Sequence, residues 1–212
     1  MKYIIMADGR MSRWDCYDSK MPPKHLVKVN NETLLERLVR QLQYIGNASE
    51  IIITSHNPLY EVDGALRYEP QNNLLEIDRF TWELIEDNIC FLYGDTYYTD
   101  EAINCIISQH TKELHFVGTK KSIIAVIVGD GNLMKENVNY VKKKFLEGQL
   151  SECKGWQVYR QYENIPLGQE KTGKHFTLVE DTTQGFNTKE EYNSFIERHE
   201  DYNGDFVGEC KG

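Results

Sequence analysis

The first 28 residues constrain the fold more than any other stretch of the chain. Tyr3-Ile4-Ile5-Met6 is a short apolar run. Ala7-Asp8-Gly9-Arg10-Met11-Ser12-Arg13 follows without a gap, and Pro22-Pro23-Lys24-His25-Leu26 closes the segment. A buried strand that empties into a loop of glycine and arginine presents backbone N–H and guanidinium groups to one place, the arrangement that cradles phosphate. Lys2, Arg10, Arg13, Lys20, Lys24 and Lys28 here face Asp8, Asp15 and Asp18, so 6 − 3 leaves +3, whereas the whole chain carries −9. A cationic island on an acidic protein points to a small anionic ligand rather than a nucleic acid.

Beyond this segment, strand and helix signals alternate, the pattern of an α/β sheet. Leu26-Val27-Lys28-Val29 reads as a short strand, and Thr33 with Glu36 forms a capping box. Leu34, Leu35, Leu38, Val39, Leu42 and Ile45 then recur at helical spacing before Gly46. Glu50 to Thr54 is a β-branched strand, Ile89 to Tyr93 a central one, and Leu114 to Val117 and Ile123 to Val128 are two more. Leu66 to Tyr68 reads as a strand and Phe176 to Val179 as an edge strand. Helices are predicted over Ile77 to Leu84, Thr99 to about Gln109, Leu133 to Leu146 and Thr188 to Arg198, with residues 163–175 a polar loop. Lys142-Lys143-Lys144 reads as a solvated, dipole-matching helix end.

The expected architecture is a Rossmann-like three-layer α/β/α sandwich on a mixed, mostly parallel sheet. One domain over residues 1–198 is expected, followed by a loosely held acidic tail, 199–212. With 212 residues and 40% hydrophobic content the chain can bury a sizeable core. No apolar stretch approaches the ~20 residues of a membrane helix, and the first apolar run is too short for a signal peptide. Cys16, Cys90, Cys105, Cys153 and Cys210 are scattered and unpaired, as expected of reduced thiols in the cytoplasm. Neither a membrane nor a nucleic-acid partner is expected.

Four elements carry candidate chemistry. Gly9 permits close approach of backbone to phosphate and Arg13 supplies a fork for its oxygens; the plain alternative is a turn with surface arginines. The loop matches neither a dinucleotide fingerprint nor a P-loop. Lys24 sits behind two stiffening prolines, a point charge suited to phosphate. Asp95 follows a buried strand and Gly94, where open parallel sheets bind ligands, and is suited to hold Mg²⁺; a turn aspartate is the alternative. Asn187, before the last helix, offers a carbonyl oxygen as second ligand, with Asp181 a rival; Thr188 and Glu191 also fit a simple capping box. Tyr93, Tyr97 and Tyr98 flank Asp95 as pocket or packing residues. The six histidines lack zinc spacing and no nucleophile elbow is present.

Together these elements resemble the NTP-transferase superfamily with its glycosyltransferase-A-like α/β fold. The family loop A-A-G-x-G-x-R after the first strand, and its later P-K lysine, are similar to Ala7-Asp8-Gly9-Arg10-Met11-Ser12-Arg13 and Pro23-Lys24. Gly94-Asp95 resembles the metal-binding aspartate, and Gly185-Phe186-Asn187-Thr188 the segment of the second metal ligand. Small cytidylyltransferases that activate phosphocholine or a similar metabolite for capsule or surface polysaccharide look closest. The resemblance implies a cytoplasmic enzyme with Mg²⁺ as cofactor: NTP, with CTP favoured, plus a phosphorylated metabolite gives NDP-metabolite and pyrophosphate. Lys24, Arg13 and Asp95 would be catalytic; Ala7, Asp8, Gly9, Arg10, Arg13, Lys24, Asn72 and Gly94 would bind nucleotide; Asp95 and Asn187 would hold metal. Asp78 and Arg79 are candidates to face the acceptor. Asp8 and Met11 depart from the family loop, one adding negative charge and the other a side chain beside phosphate. The alternatives are a glycosyltransferase-A-type sugar transferase, disfavoured because Tyr97 stands where D-x-D needs its second acid, and a non-catalytic nucleotide-binding module.

Overall fold

The alternation of the first strand sorts the interior into two layers. The structure, a computed structural model, describes residues 1–9, 13–14, 21–46, 48–167, 169 and 171–204. In β1 (Lys2–Met6), Tyr3 and Ile5 pack with α1 (Leu34–Tyr44) and α2 (Asp100–Ser108). Ile4 and Met6 face the opposite way, toward α3 (Gly131–Leu146) and α4 (Gly155–Tyr162). Period-two side chains of a strand covered on both faces must be apolar throughout, which is why the run carries no polar residue until Asp8.

The remaining elements are β2 (Lys28–Val29), β3 (Glu32–Thr33), β4 (Glu50–Thr54), β5 (Leu66–Tyr68), β6 (Ile89–Tyr93), β7 (Thr96–Tyr97), β8 (Leu114–Gly118), β9 (Ile123–Val128), β10 (Phe176–Leu178), β11 (Gln184–Gly185) and α5 (Lys189–Gly204). The main sheet runs β10-β8-β9-β6-β1-β4-β5. Only β9 is reversed, antiparallel to β6 and β8; the other pairings are parallel. The fold is thus the expected three-layer α/β/α sandwich on a mixed, mostly parallel sheet. β6 lies at its centre and β10 at its edge, as the sequence predicts.

Local chemistry accounts for the caps. Thr33 and Glu36 form both halves of the capping box on α1, and Thr188 with Glu191 repeats it on α5. The extended segment expected over Leu26 to Val29 is shorter. Lys24–Leu26 is a 3-10 turn, and β2 pairs with β3 through Asn30 and Asn31, both at positive φ (54° and 67°) as a tight primed hairpin turn requires.

The helix predicted over Ile77 to Leu84 is instead two 3-10 turns, Glu76–Phe80 and Trp82–Leu84, broken at Thr81 with φ 41°. Asp78 explains the break. Its carboxylate accepts the N–H groups of Leu74 and Leu75 and pairs with Lys142 at 2.7 Å, so it holds a turn rather than a helix face. Lys142 is therefore no mere solvated end of α3. The sequence pattern predicts no element over α4, half of whose eight residues are aromatic or β-branched; buried Val158 and Tyr159 hold it in place. α5 continues past Arg198 to Gly204, where a tail was expected from His199; residues 205–212 lie outside the described set.

A third apolar group, Trp14, Val27, Val29, Leu34, Tyr97, Phe186 and Phe195, packs α5 and the β7–β11 pair over the loops at one end. The thiols of Cys90, Cys105 and Cys153 are free, and burial raises the pKa of each. Cys16 and Cys210 lie outside the described residues.

Candidate active site

Gly94 sets the geometry at the end of β6. Its N–H donates to the carbonyl of Met6 at 3.0 Å. A Cβ here would lie 3.1 Å from that carbonyl oxygen, 3.1 Å from Ile5 and 3.3 Å from the His25 ring. Glycine lets the two central strands end in close contact with His25, where any Cβ would push its neighbours back by a few tenths of an ångström. Asp95 then leaves the sheet, its carbonyl accepting the Phe186 N–H at 2.8 Å. That bond and the β7–β11 pairing bring the segment of Asn187 beside Asp95 across some 90 residues of sequence.

Lys24 and Asp95 form an ion pair with side-chain exposures of only 6% and 13%. Burial alone would raise the Asp95 pKa. The Lys24 ammonium, with smaller help from His25 and Arg79, outweighs it and holds the carboxyl below its usual range. Lys24 is aimed by the 3-10 turn that Pro23 opens, whose carbonyl accepts the Leu26 N–H at 2.8 Å. His25, fully enclosed, lies 3.0 Å through Nδ1 from the Tyr60 hydroxyl. Burial lowers its pKa to about 3; Asp95 opposes that shift and Lys24 and Arg79 add to it. At neutral pH His25 is therefore an uncharged wall of the site.

The loop after β1 is braced on its far side. Ala7 is buried, and its N–H donates to the Thr54 carbonyl. The Asp8 carboxylate accepts the His56 N–H at 2.9 Å, lies 2.7 Å from His56 Nδ1 and accepts Asn73 Nδ2 at 2.8 Å. The negative charge that departs from the family loop is thus engaged by a neighbouring loop. Gly9 lies under a guanidinium: a Cβ here would be 2.9 Å from the Cζ and an Nη of Arg79. Arg79, named above only as an acceptor-side candidate, therefore sits against the loop after β1, and its charge also reaches Asp95, His25 and Tyr93. Arg10, Met11 and Ser12 lie outside the described residues. Asn72 is exposed in a neighbouring cleft, while Asn73, beside it, makes the contact with the loop.

Arg13 and Asn187 meet, the guanidinium donating to the amide oxygen at 3.0 Å. Asp181 is held elsewhere, accepting the Thr99 hydroxyl at 2.5 Å and the Thr183 N–H at 2.7 Å. Two of the flanking tyrosines are packing residues: the Tyr98 hydroxyl latches onto the Tyr93 backbone and the Ile124 carbonyl, and Tyr97 is buried under the Arg37 guanidinium, 4.6 Å from its ring centre.

These residues fit a hard divalent cation better than a soft one. Asp95 offers an ionised carboxylate, here paired with Lys24, and Asn187 an amide oxygen, here accepting from Arg13, both oxygen donors on adjoining segments that a bound cation would share with those side chains. Among the described residues no three His, Cys, Asp or Glu side chains converge. Mg²⁺ needs only one or two such protein oxygens, because it keeps waters and takes substrate phosphates.

No protein-family model matches the sequence, and no curated protein matches it. Solved structures do match the fold. The CTP:phosphocholine cytidylyltransferase of Streptococcus pneumoniae is 16% identical, with TM-score 0.56 over 92% of this chain and 97% of that one. A putative glucose-1-phosphate thymidylyltransferase from Bacillus anthracis is 14% identical, with TM-score 0.60 over 92% and 94%. The 2-C-methyl-D-erythritol 4-phosphate cytidylyltransferase of Thermus thermophilus is 14% identical, with TM-score 0.56 over 92% and 97%. The chain has the fold of the nucleotidyltransferases. No described helix is long and apolar enough to cross a membrane.

Proposed function

We propose that this protein is a Mg²⁺-dependent nucleotidyltransferase that joins an NTP to a phosphorylated metabolite, giving NDP-metabolite and pyrophosphate. The buried Lys24–Asp95 pair at the end of the central strand, facing a loop capped by Arg79, carries this reading. An oxygen of the acceptor phosphate bonds to the α-phosphorus as the bond from that phosphorus to the departing pyrophosphate breaks. The acceptor's second pKa is ~6, so it is largely dianionic at pH 7 and needs no base. Uncharged His25, bonded to Tyr60, agrees with that.

What the reaction needs is charge neutralisation and in-line placement. Asp95 and Asn187 would hold Mg²⁺, which supplies charge neutralisation at the phosphates. Lys24 steadies the α-phosphate or the incoming phosphate. Arg13 and Arg79 take the β- and γ-phosphates, and Ala7, Asp8, Gly9, Arg10, Asn72 and Gly94 shape the nucleotide side. CTP is the first nucleotide to test.

The test is a pyrophosphate-release screen of four NTPs with Mg²⁺ against phosphorylated alcohols, amino acids and sugars. Release that stops on chelation supports the reading; NTP hydrolysis or sugar transfer without pyrophosphate refutes it. NTP-induced thermal stabilisation without turnover would mark a binding module instead. A sugar transferase is disfavoured by Tyr97, which is buried where a second acid would stand.

A further inference from the structure

Next to the site lies a cavity of about 800 Å³ whose described lining is rich in positive charge. Lys120 and Lys121 enter it from the β8–β9 connection, Arg160 from α4 and Lys171 from the loop beyond. The one described acid there, Glu152, is already paired with Lys154 at 2.6 Å. Lys120 shares its charge with Glu180 at 3.0 Å. Lys121 and Lys171 have no ion pair among the described residues. Arg160 adds its guanidinium, whose Nη1 donates to the Leu167 carbonyl at 2.8 Å and whose enclosed Nε has no hydrogen-bond partner among the described residues.

The cavity adjoins the proposed chemistry. Lys120 and Lys121 also line the neighbouring cleft that holds Asn187. At the start of α4, a Cβ on Gly155 would lie 2.8 Å from the hydroxyl of Tyr93, which ends β6 two residues before Asp95. A cationic group would find little here. The cavity's one described aromatic, Trp156, stacks on Phe176 at 5.4 Å and has the Arg160 guanidinium 5.8 Å from its ring centre, so its ring is already partnered by a cation.

Building on the nucleotidyltransferase reading, we propose that the acceptor is a phosphorylated metabolite bearing a second anionic group, a carboxylate or another phosphate, which this cavity binds through Arg160, Lys121 and Lys171. Phosphocholine-like acceptors, with a positive second group, are then disfavoured.

The test compares phosphoethanolamine, glycerol 3-phosphate, 3-phosphoglycerate and a sugar bisphosphate as acceptors with a fixed NTP. The last two separate carboxylate from phosphate. We expect kcat/KM for one of the two anionic acceptors to exceed that for phosphoethanolamine by about 10-fold or more. The preference should collapse in a Lys121→Gln/Lys171→Gln variant, whose exposed side chains leave the core untouched. Equal or better use of phosphoethanolamine, or a preference unchanged in the variant, overturns this inference and leaves nucleotidyl transfer standing. If no acceptor releases pyrophosphate, the four-NTP screen above decides the nucleotidyltransferase reading separately. Calorimetric binding of 3-phosphoglycerate and the bisphosphate then decides this inference alone: binding weakened in the variant upholds the anion site, and no binding of either overturns it.

Discussion

At the end of the central strand, Lys24 and Asp95 are nearly sealed from water and already paired, whereas beyond the β8–β9 connection Lys121 and Lys171 stand exposed and without an ion pair among the described residues. Both regions gather positive charge, but by different means. The sealed end works by preorganisation: in a low-dielectric setting a fixed charge acts strongly, and its own desolvation is offset only by a well-placed partner. The open end works by capture, its lysines losing little hydration until an anion arrives. Substitutions at the sealed end should therefore damage both turnover and stability, and those at the open end substrate choice alone.

The largest effect tests the sealed end directly. Asp95→Ala and Lys24→Ala should each lower pyrophosphate-release turnover by at least ~100-fold, measured on protein shown to be folded by circular dichroism. Each leaves one buried charge unpaired, so urea unfolding should also report a loss of about 3–5 kcal/mol. Near-normal turnover in both variants would remove the contrast between the two regions.

A smaller effect is expected one shell away. Lys142 pairs with the buried carboxylate of Asp78, which fixes the turn that carries Arg79 over Gly9. Lys142→Met should cost about 1–3 kcal/mol in urea unfolding and raise KM for the NTP more than it lowers kcat. An unchanged KM would show that Arg79 keeps its place without the anchor.

The pH dependence sharpens the comparison further. His25 has its pKa depressed to about 3 by burial, against 6.5 in the open chain. Its unprotonated form is the one the folded state accommodates, so its contribution is fully present above about pH 6.5 and is lost as pH falls toward 3. Asp95, also depressed, adds loss of the same sign only below its ordinary value of 3.8. Thermal midpoints should therefore fall between pH 6.5 and 4, and His25→Gln should flatten that slope. A slope that persists in the variant would place its origin elsewhere.

How much of this was readable in the residues themselves follows from range. The first strand, the capping boxes and the central strand rest on neighbours within a few positions, where periodicity and cap chemistry act, and they stand as expected. Lys24 and Asp95 were each visible as candidates, but their pairing spans 71 positions and depends on Gly94 fitting against Met6. Arg79 escaped its present placement because the turns around it have no repeat to read, and the break at Thr81 comes from Asp78 pairing with a distant helix. α4 escaped because its composition favours strand and only packing overrides that.

The smallest effect concerns Asp8, the residue that adds negative charge to the loop after β1. Its carboxylate is held by the His56 ring, the His56 backbone N–H and Asn73. The His56 side chain is 53% exposed, so its share of this clasp is screened by water. His56→Ala keeps the backbone donor and the Asn73 amide, and should change stability by less than about 1 kcal/mol and the KM for NTP by less than ~5-fold. Asn73→Ala removes bonds to both the carboxylate and the carbonyl of Asp8 and should do more on both counts. If His56→Ala proved the more damaging, the ring would have to be acting on substrate rather than on Asp8, and this face of the loop would belong with the working end of the site instead of its scaffold.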